Sequence, residues 1–216
     1  LISIKKGQSI QIEAGKSYFK LVGLLKDDFP QLPEFPSHTA KSADIIKIPQ
    51  KTLKSMIQLT SFAMSHDETR YVLNGILFSF KDKVLKMVAT DGRRLALIEK
   101  SIAELGHLKK DVIVPMKTIQ ELNRNLIEEG EVLFCFKENQ LQINLAPITI
   151  TSRLIEGEYP NYEQVIPKKI KEEFKINTQA FLQATRRANI LTNQESQSGK
   201  INIIKNYNQM YNLFNF

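Results

Sequence analysis

Between residues 50 and 65, Leu53, Met56, Ile57, Thr60 and Ala63 recur at helical spacing, with Lys51, Lys54, Gln58 and Ser61 on the opposite face. That pattern predicts an amphipathic helix. The stretches 73–80, 84–89 and 95–99 alternate apolar and polar positions and predict strands, with Asp91-Gly92 as a hairpin-turn signal between the last two. A short strand at 112–114 runs into Pro115, which suits the first turn of a second helix. In that helix Ile119, Leu122 and Leu126 face inward, Lys117 and Arg124 lie elsewhere, and Gly130 is placed to end it. Three further strands are expected near 131–137, 140–145 and 148–155. Two helices among many antiparallel strands indicate an α+β class, the helices packing on one sheet face.

The pattern repeats over a long interval, so the fold is expected to contain related modules. The alternating stretch 8–13 reappears at 140–144, and 18–22 reappears at 148–152. Both passages lead into an aromatic-Pro element, Phe29-Pro30 and Tyr159-Pro160, 130 residues apart. A strand-to-helix passage beginning at Ile48 has a counterpart beginning at Ile176, 128 residues later. The expected organisation is the end of one module at 1–35, a linker at 36–45, a complete module at 46–165, and a linker with an incomplete third module at 166–216. Pro30, Pro33 and Pro36 mark the first linker region.

Hydrophobic residues make up 42% of the 216 and charged residues 25%, which excludes bulk disorder. No apolar run approaches the roughly 20 residues of a membrane span, and no signal-peptide core is present. Cys135 stands alone and His38, His66 and His107 are scattered, so neither an internal disulfide nor a metal centre is expected. These features predict a cytoplasmic protein. Lys and Arg number 30 against 23 Asp and Glu, for a net charge of +7. Eight basic against three acidic residues within 166–216 supply +5 of that excess, which suits a polyanionic partner. The first residue is Leu1, not Met, which suggests a piece of a longer protein.

Motifs for catalysis fail individually. Ala14-Gly15-Lys16-Ser17 ends like a phosphate-binding loop, but the required glycine five positions before Gly15 is replaced by Ile10. A hairpin turn at Gly15 is the better account. The segment around Cys135 reads as a buried strand with the thiol acting as a small apolar group. Glu128, Glu129 and Glu131 read as a solvated helix end and not as paired catalytic carboxylates. No enzyme activity and no cofactor are expected.

Four blocks stand out in order: YVLNGILF at 71–78, VATDGRRLA at 88–96, VIVPMK at 112–117 and SRLIEGEYPNY at 152–162. Together with the long repeat, they closely resemble the beta-subunit family of bacterial DNA polymerase III, the replication sliding clamps. The resemblance spans about residues 1–204. It implies ring-forming clamp modules: the C-terminal end of the first domain, the whole second domain and the beginning of the third. The Asn-rich tail 201–216 does not continue the third.

The resemblance implies a non-catalytic processivity factor that encircles duplex DNA and tethers the replicative polymerase and other replication and repair proteins. In full-length form it would be a homodimeric ring placed by a separate loader ATPase. Matching positions imply a partner-peptide pocket of Leu73, Thr90, Gly92, Arg93, Arg94, Leu95, Pro160 and Val165. Arg93 stands where the family often has His, and Gln164 where it often has Arg. The DNA-facing set would be Lys51, Lys54, Arg70, Tyr71, Lys117, Arg124, Arg186 and Arg187, spaced to give a diffuse positive field free of base contacts. Val72 replaces a second aromatic common beside Tyr71. Met210 to Phe214 faintly resembles a clamp-binding peptide, but an Asn- and aromatic-rich tail is the plainer account. Two other classes remain open on composition: a small basic α+β protein gripping DNA or RNA directly, and an unidentified enzyme.

Overall fold

The computed structural model describes residues 1–5, 9–29, 35–36, 45–105, 108–169, 175–190, 200–201 and 214–215. Most of the expected linker at 36–45, the prolines Pro30 and Pro33, and nearly all of the Asn-rich tail lie outside the described residues. The chain divides into two compact units, 1–161 and 162–216.

The first unit opens with β1 (Ile2–Lys5), β2 (Ser9–Ala14) and β3 (Ser17–Val22), an antiparallel sheet in that order. Gly15 has φ +61° in the β2–β3 turn, so this segment is a hairpin and not a phosphate loop. Then follow β4 (Ile45–Pro49) and α1 (Gln50–Thr60). The expected helix is cut short: a 3₁₀ turn, Ser61–Ala63, takes over, and the Thr60 hydroxyl bonds back to the Met56 carbonyl at 2.8 Å. A further 3₁₀ stretch, Glu68–Leu73, ends on Leu73, the residue at which the alternation read the start of a strand. The side chain of Asp67 caps it, accepting from the Thr69 N–H at 3.0 Å.

β5 (Gly75–Lys81), β6 (Val84–Thr90), β7 (Leu95–Ser101) and β8 (Lys110–Pro115) form one four-stranded antiparallel sheet in the order β7-β6-β5-β8. α2 (Met116–Asn125) leads back to β9 (Glu131–Lys137), β10 (Gln140–Asn144) and β11 (Thr149–Arg153). These pair with β4 in a second sheet, β11-β10-β9-β4. The strands therefore divide between two sheets, not the single sheet of the sequence-based picture. α2 also ends earlier than Gly130, because Leu126 is already extended with ψ 132° and the glycine's φ of +83° serves the turn into β9.

One core joins these parts. Leu53, Met56 and Ile57 of α1, Ile119 and Leu122 of α2, and Phe78, Leu85, Phe134 and Ile143 of the sheets are all buried in it. Phe78 stacks on Phe134 with centroids 6.2 Å apart, and Phe80 meets Phe136 edge-on at 5.4 Å. The buried Gln50 ties the start of α1 to the α2–β9 connection: it accepts from the Ile127 N–H at 3.1 Å and donates to the Glu131 carbonyl at 3.3 Å. At the other end of the sheets, the Ile155 N–H donates to the Ile113 carbonyl at 3.0 Å and joins β8 to the strand end after β11.

The order β1-β2-β3 reproduces β9-β10-β11, each a strand followed by a hairpin. In the second unit, α3 (Thr178–Asn189) starts on an Asn177 cap whose side chain accepts from the Ala180 N–H at 3.0 Å. The strand that precedes α1 has no counterpart among the described residues before α3.

Candidate functional site

Three segments distant in sequence meet on the first unit. The 3₁₀ stretch Glu68–Leu73 carries Arg70, Tyr71, Val72 and Leu73. Against it lies the β6–β7 turn, where the Arg70 guanidinium donates to the Asp91 carbonyl at 3.4 Å. From the third segment, Gly157 closes on Val72: a Cβ at Gly157 would stand 2.9 Å from Val72 Cγ1 and 3.4 Å from the Tyr71 hydroxyl. Two residues on, Tyr159 packs by Thr90.

The turn is internally braced. Asp91 Oδ1 accepts from the N–H groups of Arg93 and Arg94 at 2.9 and 3.0 Å, and its Oδ2 accepts from Arg94 Nε at 3.0 Å. The two backbone donors chiefly hold the Asp91 carboxyl below its ordinary value of 3.8. Thr90 Oγ1 donates to the Arg94 carbonyl at 2.7 Å and accepts from the Gly92 N–H at 3.1 Å. Gly92 has φ +87°, and Arg70 Nη1 comes within 3.0 Å of where its Cβ would stand, so no other residue fits this turn without strain. Arg94 lies over the Phe62 ring at 5.9 Å.

Of the residues assigned to the peptide pocket, Leu73 is buried, Thr90 and Leu95 are half-buried cross-strand partners, and Gly92, Arg93, Arg94 and Pro160 are exposed. Val165 belongs to the second unit, where it is exposed at the end of the turn Tyr162–Gln164. Tyr159 is a site residue that the sequence reading passed over. Burial pushes its phenol up to about 12, against a smaller opposing effect of the Thr90 backbone. Its place beside Pro160 and two after Gly157 is the signal that marked it.

The residues assigned to DNA divide by environment. Lys51 and Lys54 lie on α1 and both reach Glu128, at 3.8 and 3.5 Å. Arg124 on α2 pairs with Glu121 at 2.7 Å, and Lys117 is exposed on the first turn of the same helix. Arg70 is drawn toward Asp67 and Asp91, while Tyr71 is exposed. Arg186 and Arg187 are exposed on α3. Such solvated pairs contribute little to stability and leave the cations available to a polyanion. Tyr71 and Lys117 come together along a groove of about 810 Å³, which Asn74 and Arg153 also line. Among the described residues, no group of three His, Cys, Asp or Glu is placed to hold a metal ion, and no helix is long and apolar enough to cross a membrane.

The family profile for the DNA polymerase III beta subunit, central domain, matches residues 47–161. A beta sliding clamp from Halalkalibacterium halodurans is 39% identical over 197 residues, which are 89% of this chain and 50% of the relative. One from Proteus mirabilis is 36% identical, over 91% of this chain and 53% of the relative. The crystal structure of the DNA polymerase sliding clamp from Bacillus subtilis superposes with a TM-score of 0.75 at 34% identity, over 89% of this chain and 50% of that one. The chain thus spans about half the length of the relatives it matches.

Proposed function

Since the chain belongs to the DNA polymerase III beta-subunit family, we propose that it acts as part of a sliding clamp: a non-catalytic ring element that encircles duplex DNA in the cytoplasm and tethers the replicative polymerase and other peptide-bearing partners. In this reading residues 1–35 end the first clamp domain, 46–165 are the second, and 166–216 begin the third. The repeated three-strand order supports that division.

The observation that supports the proposal is that the stretch carrying Leu73, the Thr90–Leu95 turn and the Gly157–Pro160 segment lie against one another within the first unit. In this reading Leu73 and Pro160 supply an apolar floor, and the positive φ of Gly92 keeps the turn tight. The helix-borne Lys51, Lys54, Lys117, Arg124, Arg186 and Arg187 supply the field for DNA, and Arg70 and Tyr71 the rim. A diffuse positive field, screened over a Debye length of about 8–10 Å, would hold a duplex loosely and let it slide.

A short peptide ending Leu-Phe tests the pocket on the 216-residue chain. Burying two apolar side chains contributes roughly 3–6 kcal/mol before ordering costs, so weak binding is expected. Leu73→Asp and Leu95→Asp should each abolish it; the second variant, at a half-buried strand end, guards against loss of fold. Undiminished binding by both would place the pocket elsewhere.

A further inference from the structure

The groove beside Tyr71 brings an aromatic edge, apolar surface, cations and acceptors together. Its volume of about 810 Å³ lies within the roughly 300–1,000 Å³ of small-ligand sites. Met116 and Leu154 supply apolar surface, and Tyr71 leaves more than half of its surface exposed at the edge. Lys117 and Arg153, both exposed, bring positive charge to the same groove. At the junction of the 3₁₀ stretch and α2, the Asn74 side-chain oxygen is buried and accepts no hydrogen bond. A buried acceptor without a donor costs on the order of 1–3 kcal/mol, which a ligand N–H would recover.

We propose that this groove binds an unpaired nucleotide of a single strand, its base against Tyr71, Met116 and Leu154 and its phosphate on Lys117 and Arg153. The inference rests on the DNA-handling reading above and extends it from the duplex to strand ends or gaps. Glu68 and Glu156 also line the groove, and they argue against a bare phosphate or polyphosphate. Those carboxylates and the Asn74 oxygen are acceptors, suited to the Watson–Crick N–H groups of a base, which are free only when it is unpaired. Stacking on aromatic and apolar side chains with flanking cations is the general chemistry of single-strand binding. Base pairing occupies those groups in a duplex, which therefore cannot use these acceptors.

The experiment titrates the isotope-labelled 216-residue chain with single-stranded (dA)6 and, separately, with a six-base-pair duplex, following amide and side-chain signals by NMR. The single strand should shift the Asn74 side-chain amide, Met116 and Arg153, and bind at least fivefold tighter than the duplex. Arg153→Gln, an exposed position outside the proposed duplex-facing set, should weaken (dA)6 at least fivefold and change the duplex less than twofold. Asn74→Ala, checked for an unchanged fold by its amide spectrum, should remove the preference for the single strand. Shifts confined to Lys51, Lys54 and Arg124 for both probes, with Arg153→Gln silent, would overturn the groove and leave the clamp reading standing.

Discussion

Gly157 packs so tightly on Val72 that an added methyl group would sit 2.9 Å from Val72 Cγ1, and its φ of +128° is one that side-chain-bearing residues avoid. The contact seats the segment that carries Tyr159 and Pro160 against the one that carries Leu73. Gly157→Ala should therefore cost on the order of 1–3 kcal/mol in thermal or denaturant unfolding. It should also weaken Leu-Phe peptide binding by more than the loss of stability explains, because the pocket floor is displaced. An unchanged melting temperature would show that the segment is not seated there.

Asp91 organises the β6–β7 turn, at the other side of the proposed pocket, by accepting from two backbone amides and from Arg94. Its lowered carboxyl pKa means that the folded state favours the charged form, so this contribution is in place at neutral pH and fades only as pH falls below 3.8. Asp91→Ala should speed amide hydrogen exchange at Arg93 and Arg94 at pH 7. The same variant should lose the wild-type protein's acid-induced change at these two amides.

Tyr159 behaves in the opposite pH range. Its phenol, raised to about 12 by burial, stays neutral in the folded state while an unfolded tyrosine ionises near 10. Stability should consequently fall between pH 10 and 12, and Tyr159→Phe should flatten that fall. Ultraviolet titration of tyrosinate, comparing the two proteins, gives the readout.

Gln50 is buried at the start of α1 and bonds to two backbone groups on the α2–β9 connection. Gln50→Ala leaves the Ile127 N–H and the Glu131 carbonyl without that partner, and about 1–3 kcal/mol of unfolding free energy should be lost. A loss below 0.5 kcal/mol would mean that solvent replaces both bonds.

Much of this architecture was legible in the chain, and the exceptions have physical causes. The faces of α1 and α2 follow from Leu53, Met56, Ile57, Ile119 and Leu122, because helical burial leaves a 3.6-residue imprint. The Asp91-Gly92 and Gly15 turns were readable from residues that tolerate positive φ. Division of the strands between two sheets was not, because alternation reports burial and not partner choice. The end of the 3₁₀ stretch Glu68–Leu73 was hidden by Leu73, which continues the apolar pattern of β5. The proposed pocket residues follow from motif likeness, whereas Tyr159 and Gly157 act through contacts that spacing alone does not disclose.

The charge on the helices leads to the most direct test. The protein, expressed with whatever coding sequence flanks it in its own gene, is loaded by a clamp-loader ATPase onto closed circular DNA, and its release is timed before and after the circle is cut. The account predicts long retention on the circle, rapid loss from the cut DNA, and reduced loading or retention for the combined Lys51→Ala, Lys54→Ala, Lys117→Ala and Arg124→Ala variant, with peptide docking intact. Equal release from circular and cut DNA, together with salt-sensitive binding to short linear duplexes, would contradict a clamp and indicate a direct nucleic-acid binder.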